Sequence, residues 1–244
     1  MAIDDPLEKI RELAADDKVD FGGASLQLAG ISVSPVFKVF AIAKSIFDSQ
    51  LNGNAIKIAI LALCDELQRL QNLWPSNFEG ALNAEWFRRA VAAVMEESVS
   101  AANNERARLL GRVAAHGCFP TGKDAHRQED LASYIHDLAQ LGTDDIQFLR
   151  LLKDSYEGAY RTAPNMNKPD IFAGYYDDYK HKAQELNISE DDRIALGARL
   201  GGFGLAYEPP VQPFPGQHFV RATLRGLYLL SLLDAAELPI EKQY

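Results

Sequence analysis

The chain has few of the residues that mark several specialised protein classes. Its 244 residues include only two cysteines, Cys64 and Cys118, which cannot build a disulfide scaffold, so we expect buried, reduced thiols and a cytoplasmic location. The 17 Gly and 11 Pro are too few for a collagen-like or low-complexity chain. The opening residues are acidic and lack the basic and apolar regions of a secretory signal, so we do not expect secretion.

Long apolar runs and an excess of positive charge are also missing. The most apolar early stretch, residues 24–47, is interrupted by polar residues and falls short of the roughly 18 apolar residues of a membrane span. We interpret it as a core helix with its lead-in, and an interfacial amphipathic helix over 34–49 is the alternative. The net charge of −9 disfavours general binding to nucleic acid or anionic lipid.

Apolar residues follow a helical pattern over the first 141 positions of the chain. With 47% hydrophobic and 24% charged residues, the chain can bury a core. Apolar residues recur at helical spacing, with breaks where Gly, Pro or Asn occur. The predicted helices cover residues 6–15, 34–51, 56–73, 83–99, 105–116 and 129–140. We therefore predict a mainly α protein with a helical bundle over residues 1–141, in which the pair Asn103-Asn104 marks a helix end or a kink.

The remaining residues, 142–244, predict helices followed by a short hairpin and a last helix. Thr143 and Ser189 are predicted helix caps. The stretch ARLGGFGLAYEPPVQPFPGQHFVRATLRGLYLLSLL resembles the end of a winged-helix domain. In this family a third helix ends in a Leu-x-x-x-Gly-Leu motif, which Leu200, Gly204 and Leu205 match, and a Thr-x-x-Gly-x-x-Leu helix closes the domain, which Thr223, Gly226 and Leu229 match. We expect Gly204 to let the chain turn out of the helix, the Thr223 hydroxyl to cap the last helix, and Gly226 to permit close packing against the sheet. We therefore predict a winged-helix-like α+β module with one short β-hairpin, and an ordinary hairpin between two helices is the alternative.

The resemblance implies DNA binding, but the charges favour a different use. In this family the third helix enters the major groove and the wing contacts the backbone. Here that helix begins with three carboxylates, Glu190, Asp191 and Asp192, and residues 143–244 hold eleven Lys and Arg against fifteen Asp and Glu, a net charge of −4. We therefore expect protein contact rather than DNA contact. The candidate contact residues for DNA or a partner are Arg193, Arg199, Arg221 and Arg225.

The order of helices in the N-terminal part, which runs through ERARLL at residues 105–110 and on to TDDI at 143–146, is similar to that of certain bacterial helical proteins. These include the abortive-infection alpha type, which is linked to phage defence. A phage-defence protein is therefore a second alternative for the function.

The chain offers only incomplete patterns for chemistry. Residues 117–124 approach a phosphate-binding P-loop, but Asp124 replaces the required hydroxyl and a helical pattern precedes the loop. The residues His116, Cys118 and His126 match no standard zinc spacing. Cys118 with a nearby His also suggests a nucleophile, but nothing in the sequence supplies the lowered pKa that its thiol would need. We therefore predict no catalytic residue, no cofactor and no metal ion. A tyrosine cluster among acidic residues is a candidate interface and consists of Tyr175, Tyr176 and Tyr179.

Together these observations predict a cytoplasmic, non-enzymatic protein that binds a protein partner or forms a homo-oligomer. The alternative from a different class is a winged-helix transcriptional regulator whose helical domain senses a small molecule or dimerises.

Overall fold

The computed structural model describes residues 54–73, 81, 84–101, 103–118, 128, 130–162, 179–209 and 220–237. The helices predicted over residues 6–15 and 34–51 lie outside this part of the chain. The described residues are mainly helical with one two-stranded antiparallel hairpin, which confirms the predicted fold class. None of the helices described is both long and apolar enough to cross a membrane.

The described residues form two compact units. The first contains the residues up to Gln140 together with 232–237, and the second runs from Leu141 to Ser231. The helices described in the first unit before residue 232 are α1 (Asn54–Leu73), α2 (Glu85–Val99), α3 (Asn104–Gly117) and α4 (Leu131–Gln140). Helix α1 packs most extensively on α3, and α2 packs on α4. Apolar side chains fill the core, and the largest of those that are fully buried include Leu63, Leu67, Phe87, Met95 and Leu110.

Helices α1 and α3 approach each other closely because a glycine lies between them. A Cβ atom on Gly111 would collide with the backbone carbonyl of Ala59. Only glycine fits a contact in which one helix backbone meets another at this distance. Gly111 therefore sets the separation of the two helices.

Two features of the first unit refine the expectations from sequence. The pair Asn103-Asn104 separates two helices rather than bending one, because the Asn103 side chain accepts a hydrogen bond from the Arg106 backbone N–H at 2.8 Å and caps α3. Lys57, which the helical pattern places on the solvent side of α1, is buried instead. The pattern misses this because α1 contacts both α2 and α3 and has little free surface.

The second unit follows the predicted order of helices, hairpin and last helix. It contains α5 (Thr143–Thr162), helical residues at 179–185, and α6 (Glu190–Gly202). Strands β1 (Ala206–Tyr207) and β2 (Arg221–Ala222) then pair, with Tyr207 opposite Arg221. Helix α7 (Leu224–Glu237) follows β2 directly, and its residues from 232 group with the first unit.

Three residues hold the hairpin against the start of α7 in the way that the sequence predicts. Gly204 has a φ of 68°, in the left-handed region that glycine adopts readily, and turns the chain out of α6. The Thr223 hydroxyl donates to the Gly204 carbonyl at 2.7 Å and accepts from the Gly226 N–H at 3.0 Å. A Cβ atom on Gly226 would collide with the Leu205 carbonyl. The hairpin and the first turn of α7 are therefore one fixed structure.

Candidate functional site

The groove beside the hairpin is the strongest candidate site in the part of the chain that is described. It has a volume of about 480 Å³, within the range of roughly 300–1,000 Å³ for ligand sites. Its described lining comes from both strands and the first turn of α7, and the residues used below are Tyr207, Arg221, Thr223, Leu224 and Arg225. The hydrogen bonds of Thr223 fix these elements relative to one another, so the groove has a defined shape. We refer to it as the hairpin groove.

Two large apolar side chains of the hairpin groove are exposed. Leu224 is 72% exposed and Tyr207 is 42% exposed. Among the described residues, Leu224 is the most exposed large apolar side chain. Single exposed apolar residues are common on protein surfaces, and here two of them line the same groove.

Two of the four predicted contact arginines, Arg221 and Arg225, line the hairpin groove. Arg221 lies on β2 and Arg225 in the first turn of α7. Each is partly exposed. A guanidinium group has five N–H donors, so each arginine can donate to a further partner in addition to its contacts within the chain. The structure therefore brings cationic and apolar groups together on one surface.

Arg193 and Tyr179 belong to the interior of the second unit. Arg193 is only 9% exposed, and its guanidinium carbon lies 5.4 Å from the centre of the Tyr179 ring. The Tyr179 ring is fully buried and packs edge-on against Phe148, with the ring centres 6.1 Å apart. The geometry is that of a cation–π contact inside the core. Tyr175 and Tyr176, the other tyrosines of the predicted interface, lie outside the described residues.

Arg199 lies on the surface but is bound to a buried carboxylate. Its guanidinium lies 3.3 Å from the Asp145 carboxylate, whose side chain is 2% exposed. The same carboxylate oxygen accepts a hydrogen bond from the Gly142 N–H at 2.7 Å. Arg199 thus joins α6 to the start of α5. Arg193 and Arg199 serve the internal structure of the unit, whereas Arg221 and Arg225 line the groove.

One of the three acidic residues in the first turn of α6, Asp192, takes part in the helix cap. Ser189 accepts a hydrogen bond from the Asp192 N–H at 3.1 Å, and the Asp192 carboxylate accepts in return from the Ser189 N–H at 3.2 Å. This capping box confirms the predicted role of Ser189. Hydrogen bonds from Ser189 hold the pKa of Asp192 below its usual range. Glu190 and Asp191 remain exposed on the same turn.

The residues considered for nucleophilic or metal chemistry do not form a reactive site in the described structure. Cys118 is buried, and its thiol lies 3.1 Å from the Ala114 carbonyl, to which it donates. Burial raises the pKa of the Cys118 thiol well above its ordinary value, so the thiolate needed for attack does not form at neutral pH. Among the described residues no cluster of three metal ligands occurs. His126 and Asp124 lie outside them.

Two histidine–carboxylate pairs join helices of the first unit and were missed by sequence reasoning. His116 on α3 lies 2.8 Å from the buried Glu66 on α1, and His136 on α4 lies 2.6 Å from Glu97 on α2. The first contact is close, but its two atoms are not aligned as a hydrogen bond. The partners are 50 and 39 positions apart in the chain, so no local spacing indicates them. They link helices rather than form a site.

Comparison of the chain with protein-family models, curated proteins and solved structures finds no match.

Proposed function

We propose that this chain is a cytoplasmic, non-enzymatic protein-interaction module, and that the hairpin groove is its contact surface. The observation that carries the proposal is the placement of exposed Leu224 and Tyr207 beside Arg221 and Arg225 on one fixed surface. Aromatic residues and arginine are enriched at protein interfaces, where an apolar centre is covered and a polar rim supplies hydrogen bonds. The two unpaired cysteines support a reducing compartment.

The order of elements in the second unit supports a winged-helix-like module used for protein contact. Among the described residues of this unit, three helical segments precede the hairpin and one helix follows it. The helix that would enter DNA has exposed carboxylates at its first turn, and its two arginines contact Tyr179 and Asp145. A DNA-binding regulator and a phage-defence protein are alternatives that rest on resemblance alone.

Site-specific photo-crosslinking tests the proposal. The photoreactive residue p-benzoylphenylalanine replaces Leu224 in the full chain, which is irradiated in an extract of cells that normally make it. The matched control carries the same residue in place of Val99, an apolar side chain that is 66% exposed on the first unit. Both positions are highly exposed, so chance collisions label them alike.

We expect discrete adducts at position 224, absent at position 99, that protease removes and nuclease leaves intact. The adducts are identified by mass spectrometry as another protein or as a second copy of this chain. Equal labelling at both positions would overturn the proposal, because it would show random contact. Adducts removed by nuclease would favour the DNA-binding alternative.

A further inference from the structure

We draw no further inference here: the strongest candidate, the buried side-chain cluster of Glu66, Arg69 and His116 between α1 and α3, carries nothing because Arg69 and His116 contact the two oxygens of the Glu66 carboxylate and leave neither for a ligand.

Discussion

The guanidinium of Arg199 on α6 lies 3.3 Å from the buried carboxylate of Asp145 on α5. This carboxylate also accepts a hydrogen bond from the backbone N–H of Gly142, just before α5 begins. One side chain therefore caps a helix and links two helices. Arg199, an arginine that winged-helix resemblance would assign to DNA, has a structural partner instead.

The first prediction concerns this pair. Asp145→Ala removes the cap and the ion pair, and we expect a loss of about 2 kcal/mol in the free energy of unfolding. Arg199→Ala is expected to cost about 1 kcal/mol or less, because Arg199 is half-exposed and solvent screens its charge. Urea unfolding of both single variants and the double variant gives their coupling energy. Additive effects of the two substitutions would show that the pair does not stabilise the fold.

The second prediction concerns the glycine at the start of α7. Gly226→Ala places a Cβ atom against the Leu205 carbonyl, and we expect a loss of about 1–3 kcal/mol. The matched control is Gly202→Ala in the last turn of α6, where a Cβ atom would have no neighbour within 4 Å. It is expected to be neutral or stabilising by up to about 1 kcal/mol, since alanine favours a helix. Thermal unfolding compares the two, and equal stability would contradict the close contact.

This contact is one of three features of the hairpin that can be predicted from the sequence. Local chemistry predicts Gly204 in the turn, Thr223 as a cap and Gly226 as a point of close packing, and the structure confirms all three. Each depends on residues within a few positions or on the absence of a side chain. Such features can therefore be predicted from the local sequence.

Features that depend on distant residues were not predicted. No periodicity shows that Arg199 pairs with Asp145, or that Glu97 pairs with His136, because these partners meet only after the helices pack. The helical pattern places Lys57 on the solvent side because the pattern of one helix takes no account of the helices that pack against it, and Lys57 is buried. For the candidate site, sequence reasoning supplied Arg221 and Arg225 but not their association with Tyr207 and Leu224.

The third prediction concerns the two thiols. Burial raises the pKa of both Cys64 and Cys118, so neither reacts with a thiol reagent at pH 8 in the folded chain, and both react in denaturant. Above about pH 9 the unfolded thiols lose protons that the folded thiols retain. Stability therefore falls as pH rises, by up to about 1.4 kcal/mol per pH unit for each thiol. Rapid labelling of either thiol in the native protein would contradict their burial.

The fourth prediction concerns the last turn of α4. The Arg106 guanidinium on α3 donates a hydrogen bond to the Leu138 carbonyl, one of the carbonyls that a helix end leaves without an internal partner. Partial burial lowers the pKa of Arg106. Arg106→Met keeps the apolar stem and is expected to cost about 1.5–3 kcal/mol. Arg108→Met, at an exposed position on the same helix, is the control. Similar unfolding midpoints for the two variants would contradict this cap.

The proposed function requires that the hairpin groove contacts protein and not nucleic acid. The most direct test is to titrate a fluorescein-labelled random DNA duplex of about 20 base pairs with the full chain, at about 50 and 200 mM salt. Fluorescence anisotropy measures the binding. We predict no binding at micromolar protein at either salt concentration, with or without Arg221→Gln and Arg225→Gln. Binding that weakens steeply with salt and is lost in the double arginine variant would contradict the claim.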